Sequence, residues 1–225
     1  MIRNRVLGVA TALVIVGLPT LTSPTDAVKA GMCRGHAVTI MGTAGPDNIR
    51  GTNGPDVISA LGGNDVVRGL KGRDIICGDG GNDRLIGGKG QDLLTGSMGD
   101  DKLVGNKGND VIFGGVGNDR IIGGNGKDRL SGGAGLDVIK GNKKSDRMAG
   151  GANDDVMSGG RGYDHLFGSD GDDILNADRG ADTLNGGLGN DTLNAQDGVG
   201  NDRLLGSGGT DTCNADPGDF VAGCP

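Results

Sequence analysis

An aspartate recurs at every ninth position over most of this 225-residue chain. Counting from Asp47 in steps of nine reaches 17 consecutive aspartates without a slip, ending at Asp191. A two-residue insertion then shifts the frame, and Asp202 and Asp211 continue it. A fixed short period indicates small structural units that stack on one another, instead of packing around one globular core.

Other residue types also keep fixed positions within each repeat. If the aspartate is position 6, an apolar residue follows at position 8, as Leu103 and Ile112 do. Gly holds position 1 in 15 of the 17 contiguous units and position 4 in 15 of 17. Gly at these positions permits positive φ, so six residues can form a turn, and the other three form a short strand with one side chain inward. Stacked units would align these inward side chains as a ladder.

The composition argues against a conventional globular enzyme. The chain has 50 Gly, no Trp, one Tyr and three Phe, so little material is available for an ordinary core. His36 and His165 are far apart, and neither accompanies a nucleophile or a zinc-binding pattern. The repeat explains every clear Asp pair. We therefore predict no catalytic residues and no enzymatic activity.

The charge balance favours a cation as partner. The formal net charge is −7, and all 29 acidic residues are Asp. Basic residues are scattered along the sequence and aromatic residues are few, which argues against a nucleic-acid partner. The short carboxylate of Asp suits turns and ligation, whereas Glu would serve equally well for solubility alone.

The first thirty residues have the layout of a secretory signal peptide. Arg3 and Arg5 precede an apolar run over residues 6–18, and Val28, Lys29 and Ala30 come before the expected cleavage point. The alternative is a membrane anchor, but a run of this length falls short of the roughly 20 residues that a spanning helix needs. We predict an exported, extracellular protein with no membrane span.

The repeat has the form G-G-x-G-x-D-x-U-x, most cleanly in residues 87–95 and 114–122. In this form the chain resembles the hemolysin-type calcium-binding (RTX) nonapeptide repeat family over residues 42–214. The resemblance implies an all-β fold, a right-handed parallel β-roll (β-solenoid) of 18-residue coils with two nonapeptides per coil. Short caps are expected at residues 31–41 and 215–225.

The resemblance also implies several bound Ca²⁺ ions. Each ion is expected between a turn and the turn two units later, held by Asp from both and by turn carbonyls. Such sites exist only in the folded roll, so folding is expected to require calcium. The expected ligands are Asp47, Asp56, Asp65, Asp74, Asp83, Asp92, Asp101, Asp110, Asp119, Asp128, Asp137, Asp155, Asp164, Asp173, Asp182 and Asp191.

Asp146 is left out of this set because its turn departs from the pattern. Lys143 and Lys144 replace the usual Gly-rich sequence and add two positive charges near that carboxylate, and Asn153 follows at a Gly position. We therefore expect weak or missing calcium around residues 141–154.

Four cysteines behind a signal peptide predict two disulfides. Cys33 lies just before the first repeat and Cys77 ends an early strand, whereas Cys213 and Cys224 are close together near the end of the chain. We favour Cys33–Cys77 and Cys213–Cys224, which would tie the flanking segments to the ends of the roll. The other two connectivities remain open.

Apolar residues at positions 7 and 9 are expected to form two outward stripes. One consists of Val57, Ile75, Leu93 and Val111 with Phe113 beside it, and the other of Ile86, Val104 and Ile122. Such stripes could mediate self-association or contact with a cell surface, or simply reflect β-propensity. Two alternatives to a calcium-binding protein therefore stay open: a structural or adhesive rod stiffened by calcium, and a non-catalytic accessory to a carbohydrate-active system.

Overall fold

The computed structural model describes residues 32–198 and 200–224, so the predicted signal peptide lies outside the described residues. Every regular element in the described part is a β-strand. The strands are β1 Met32–Cys33, β2 His36–Ala37, β3 Ile40–Met41, β4 Asn48–Arg50, β5 Val57–Ser59, β6 Val66–Lys71, β7 Ile75–Gly80, β8 Arg84–Lys89, β9 Leu93–Met98, β10 Lys102–Lys107, β11 Val111–Val116, β12 Arg120–Asn125, β13 Arg129–Ala134, β14 Val138–Lys143, β15 Arg147–Ala152, β16 Val156–Gly162, β17 His165–Asp170, β18 Ile174–Gly180, β19 Thr183–Leu188, β20 Thr192–Ala195, β21 Arg203–Gly208, β22 Thr212–Ala215 and β23 Phe220–Ala222. Within the described residues, no helix is long and apolar enough to span a membrane.

The strands alternate between two parallel sheets. The even sheet contains the even-numbered strands from β4 to β22, and the odd sheet contains the odd-numbered strands from β3 to β23. Each strand pairs with the strand one coil away, so that Leu103 is in register with Leu85 on one side and Ile121 on the other. That offset of 18 residues is two nonapeptides. The predicted β-roll is therefore confirmed.

The core is the predicted aliphatic ladder between the two sheets. Residues at position 8, such as Leu103 and Ile112, are fully buried along the length of the roll. No single unit could bury its one apolar side chain, whereas stacking removes each of them from water. The middle of the ladder contains Met148 and Met157, whose flexible side chains fill irregular space.

The two-residue insertion lengthens one coil without disturbing the ladder. Leu204 is in register with Leu184, and Cys213 with Leu193, each at a separation of 20 residues. The extra residues fall in the segment between β20 and β21. Because side chains alternate across a strand, absorbing the insertion in a loop keeps the same residues inward on both sides.

Both favoured disulfides are present, Cys33–Cys77 and Cys213–Cys224. The N-terminal hairpin of β1 and β2 lies over the outward face of the odd sheet, because Arg34 stacks on Phe113, 4.4 Å from the ring centroid, and its Nε donates to Thr95 Oγ1. The hairpin thus covers part of a face, whereas the end strand of the odd sheet is β3. At the other end β23 pairs with β21 and extends the roll past residue 214.

Candidate metal centre

The position-6 aspartates form a stack along each edge of the roll, with their carboxylates turned inward beneath the turns. From Asp65 to Asp211, Oδ1 of each accepts the backbone N–H of the aspartate one coil earlier, as Asp110 Oδ1 does from Asp92 at 2.9 Å and Asp119 Oδ1 from Asp101 at 2.8 Å. The aspartates from Asp65 to Asp211 are at most 3% exposed. One oxygen of each carboxylate therefore serves the fold, by satisfying a buried backbone donor.

The second oxygen of these carboxylates has no hydrogen-bond partner among the described residues. Buried carboxylate oxygens are almost always paired, so a repeated orphan requires an explanation, and a bound ion is one of the few available. The orphaned Oδ2 atoms belong to Asp65, Asp74, Asp83, Asp92, Asp101, Asp110, Asp119, Asp128, Asp137, Asp146, Asp155, Asp164, Asp173, Asp182, Asp191, Asp202 and Asp211.

The first two turns differ from the rest. Oδ2 of Asp47 accepts the backbone N–H of Thr43 at 2.6 Å and its hydroxyl at 2.9 Å. Oδ2 of Asp56 is held in the same way by Thr52, at 2.7 Å and 3.1 Å. Thr at position 2 thus supplies these carboxylates with partners that later turns lack.

Burial shifts the protonation of the stacked aspartates. Removal from water raises the pKa of Asp92 and Asp101 to about 7 and that of Asp146 to about 8. The bond from the neighbouring backbone N–H lowers each pKa, and the like charges of the carboxylates one coil away raise it again. Without a bound cation, full ionisation of the stacked carboxylates is therefore unfavourable at neutral pH.

Further oxygens converge on the same places where glycine leaves space. A Cβ on Gly105, at position 1, would lie 2.7 Å from the carbonyl oxygen of Gly123 in the next coil and closer still to Asp110 Oδ2. A Cβ on Gly72, at position 4, would lie 2.5 Å from the carbonyl oxygen of Gly54 and 2.9 Å from Asp74 Oδ1. Carbonyl oxygens from one coil thus approach carboxylate oxygens of the adjacent coil.

This donor set fits a hard divalent cation. Ca²⁺ accepts carboxylates and backbone carbonyls together at 2.3–2.6 Å. In the described part of the chain, no group of three or more His, Cys or Asp side chains could hold a metal by itself. A site that combines the orphaned Asp oxygens with turn carbonyls would suit calcium, whereas zinc prefers nitrogen and sulfur ligands.

The expected ligands are brought together as the sequence predicts, in two stacks spaced by 18 residues. Asp146 is arranged like its neighbours, because its Oδ1 accepts the Asp128 N–H at 2.8 Å and its Oδ2 is orphaned. What sets its turn apart is Lys144, which adopts φ 71° at a position that is Gly in the other contiguous units, except for Asn153.

The sequence reading missed one member of the stack. Asp219 Oδ1 accepts the backbone N–H of Asp202 at 2.9 Å, so Asp219 continues the stack past the last full repeat. Its separation of 17 residues from Asp202 hid it from a search at a fixed period. The remaining signal was Val221, an apolar residue two positions after an Asp.

The residues of the first predicted outward stripe lie in a row on the odd sheet. Val57, Ile75, Leu93 and Val111 are in register on adjacent strands of the odd sheet and are partly buried. The disulfide at Cys77 and the contacts of Arg34 place the N-terminal hairpin over part of this face.

Taken together, the fold and its turns define a repeat protein, a β-solenoid with stacked carboxylates and carbonyls at both edges. The chain belongs to the RTX calcium-binding nonapeptide repeat family, whose model matches residues 41–76, 78–112, 95–130, 104–139, 131–166, 164–193 and 194–219. It is thus a calcium-binding repeat protein. A search among curated proteins finds no significant match to this chain.

Proposed function

We propose that this is an exported, non-enzymatic protein whose turns bind several Ca²⁺ ions and whose roll forms when they bind. The observation that carries the proposal is the ladder of orphaned Oδ2 atoms, one in every turn from Asp65 to Asp211. A fold that buries so many unpaired carboxylate oxygens needs a partner for them that the described residues do not supply.

Electrostatic repulsion between the carboxylates explains why calcium binding would favour folding. Stacked carboxylates repel one another, and an unpaired buried charge is costly. A bound cation converts both effects into attraction, and because the donors meet only in the folded roll, its binding free energy becomes folding free energy. Calcium would neutralise the charge of the carboxylates and would accept their oxygens and the turn carbonyls in a flexible coordination shell. Mg²⁺ demands a smaller and stricter octahedron.

The contacts support one set of residues as ligands for the ions. The orphaned Asp oxygens are the anionic ligands, and the position-1 and position-4 carbonyls of adjacent coils are the neutral ones. Asp47 and Asp56 are the weakest of the expected ligands, since Thr43 and Thr52 already occupy their second oxygens.

Export fits the same chemistry. Two disulfides suit an oxidising compartment, and the predicted signal peptide leads there. Calcium is scarce inside cells and abundant outside, where sites with dissociation constants near 10⁻⁴–10⁻³ M suffice. The chain would stay unfolded before export and fold afterwards.

The test is far-UV circular dichroism of the chain from residue 31 onwards during a calcium titration, with magnesium as the control. We expect a cooperative change from coil to β-structure with calcium alone. A full β-structure signal already present in chelator would contradict the coupling of folding to calcium. In that case Gly-rich turns and the aliphatic ladder suffice for the fold.

A second candidate is a structural or adhesive rod on the cell surface. It is favoured by the continuous apolar row from Val57 to Val111, which remains partly exposed. Cell fractionation separates the two: a rod would sediment with the envelope, whereas a free calcium-binding protein would appear in the medium.

A further inference from the structure

The two turn edges of the roll carry different charge. We call the turns that follow the even strands the cationic edge and those that follow the odd strands the acidic edge. At position 3 the cationic edge presents one exposed residue per coil, in register from strand to strand. These residues are Lys71, Lys89, Lys107, Asn125, Lys143, Arg161 and Arg179.

Other positions of the same turns add to this charge. Arg73 and Lys127 stand at position 5, and Lys144 at position 4. Within positions 2–5 of these turns, the described acidic residues are Asp178, Asp197 and Asp216, all near the C-terminal end of the row.

The acidic edge has the opposite character. Positions 2–5 of its turns contain no Lys or Arg among the described residues, and they include Asp79, Asp100, Asp154, Asp170 and Asp172. Its position-3 row is mostly apolar, with Met98, Val116 and Leu188 each more than 60% exposed. The chain is acidic overall, yet within positions 2–5 of the described turns its Lys and Arg residues lie at one edge only.

The cations of this row follow one another in register along the roll, interrupted by Asn125. Lys71 and Arg179 are six coils apart, which is about 29 Å at about 4.8 Å per coil. Among the described residues, the side chains of the six position-3 cations make no hydrogen bond or ion pair with the protein. When calcium neutralises the buried carboxylates of the same turns, as the proposed function requires, a line of exposed like charges creates a positive potential that attracts an anionic partner.

We propose that the cationic edge binds a linear acidic polysaccharide, with its anionic groups lying along the position-3 row. An extended polysaccharide with regularly spaced anionic groups can lie along the position-3 row and contact several cations at once. The planar guanidinium groups of Arg161 and Arg179 suit carboxylate or sulfate groups because they can donate two parallel hydrogen bonds.

Nucleic acid fits this edge less well. The phosphates of a DNA duplex wind around its axis, so the position-3 row of cations could contact them over only a short distance. Single strands bind through aromatic side chains on which the bases stack, and Tyr163 is the one aromatic residue in the described turns of this edge.

The experiment measures binding of fluorescein-labelled dextran sulfate to the purified protein in saturating calcium, with neutral dextran as the ligand control. In the test variant Lys89, Lys107 and Lys143 are replaced by Asn, the residue that position 125 already has in the same row. The matched control variant replaces Arg84, Lys102 and Arg120 by Gln. These three lie at the start of β8, β10 and β12, five residues before the row, so both variants lose the same charge.

We expect the wild type to bind dextran sulfate and to ignore neutral dextran. The test variant should lose affinity about tenfold or more and show a shallower salt dependence, because fewer counterions are released on binding. The control variant should change affinity less than about twofold. Circular dichroism in calcium checks that both variants retain the β-roll, which separates this outcome from a failure of calcium-linked folding.

Three results would overturn the proposal. The first is equal loss of affinity in the two variants, which would mean a non-specific charge effect. The second is no binding of dextran sulfate by a folded wild type. The third is tighter binding of a 20-base-pair DNA duplex at the same salt, lost in the same test variant, which would assign the edge to nucleic acid.

Discussion

The backbone N–H of Asp92 donates to Oδ1 of Asp110, 2.9 Å away in the next coil, while Oδ2 of Asp110 is buried with no hydrogen-bond partner in the described part of the chain. One carboxylate therefore has two separable tasks. The first oxygen satisfies a backbone donor and belongs to the fold, and the second is available to a metal. The same division recurs in each turn from Asp65 to Asp211.

Replacing Asp110 by Asn should separate these tasks. Asn keeps an oxygen for the Asp92 N–H but puts an uncharged NH₂ group where Oδ2 was, so it removes an anionic ligand and retains the backbone contact. We expect fewer bound ions and a higher calcium midpoint for folding. Calcium titration by circular dichroism and equilibrium dialysis measures both.

The matched variant is Asp110→Ala, which removes both oxygens. It leaves the Asp92 N–H without its acceptor and should cost a further 1–3 kcal/mol, measured by urea unfolding in saturating calcium. Equal unfolding free energies for the two variants would contradict the structural task assigned to Oδ1.

The metal-free roll should become less stable as pH rises. Burial raises the pKa of Asp92 to about 7 and that of Asp146 to about 8, against 3.8 for the unperturbed group. Between these values the folded state binds more protons than the unfolded state, so the free energy of unfolding falls as pH increases through this window. In chelator we expect more β-structure near pH 5 than near pH 8.

Saturating calcium should remove or reverse that trend, since the metal needs deprotonated ligands. Circular dichroism against pH, with and without calcium, checks both parts. Calcium added near pH 7 in weak buffer should also release protons. A metal-free roll whose β-content increases between pH 5 and pH 8 would be incompatible with buried protonated aspartates.

The inward ladder should be far more sensitive to truncation than the turn edges. Ile112 is fully buried, whereas Val116 is 61% exposed at the end of the same strand, β11. Ile112→Ala should lower the unfolding free energy in calcium by about 2–5 kcal/mol. Val116→Ala should change it by less than about 0.5 kcal/mol. Urea unfolding of both variants provides the comparison, and similar losses would mean that Val116 is covered in solution.

The repeat predicted the fold well because its information is local and periodic. Asp at position 6 and the apolar residue at position 8 fix the turn, the strand and the inward face, and a step of 18 residues then places Leu103 beside Leu85 and Ile121. The sequence also indicated that an insertion lies between Asp191 and Asp202. Asp219 was not predicted as a member of the stack, because its separation of 17 residues from Asp202 differs from the period of the repeat.

The charge difference between the two edges could not be predicted from the sequence, because it depends on which turns alternate along the roll. Lys89 and Lys107 are 18 residues apart and look scattered in the sequence, yet the register makes them neighbours. Nor could the sequence show that Oδ1 is used by the backbone, or that Arg34 carries the N-terminal hairpin onto Phe113. Those contacts depend on three-dimensional placement, which no period in the sequence encodes.

Lys144 should be the residue that weakens calcium binding around residues 141–154, and Lys143 should not. Lys143 stands at the exposed position 3, where Lys89 and Lys107 are also found, whereas Lys144 occupies position 4 with φ 71°. A non-Gly residue in this left-handed region costs about 1 kcal/mol. Burial raises the pKa of Asp128 to about 6, and the charge of Lys144 partly offsets this, so that the ammonium group favours the metal-free carboxylate.

Lys144→Gly should therefore lower the calcium midpoint and raise the unfolding free energy in calcium by about 1 kcal/mol. In chelator the gain should shrink, because the variant also loses the cation that favours the Asp128 carboxylate. Lys143→Gly removes the same charge at a neighbouring position without relieving the backbone, so it is the matched control. If both variants shift the calcium midpoint equally, net charge and not backbone conformation limits calcium binding in this turn. If neither shifts it, the turn binds calcium as well as its neighbours, as the position of Asp146 in the stack would then imply.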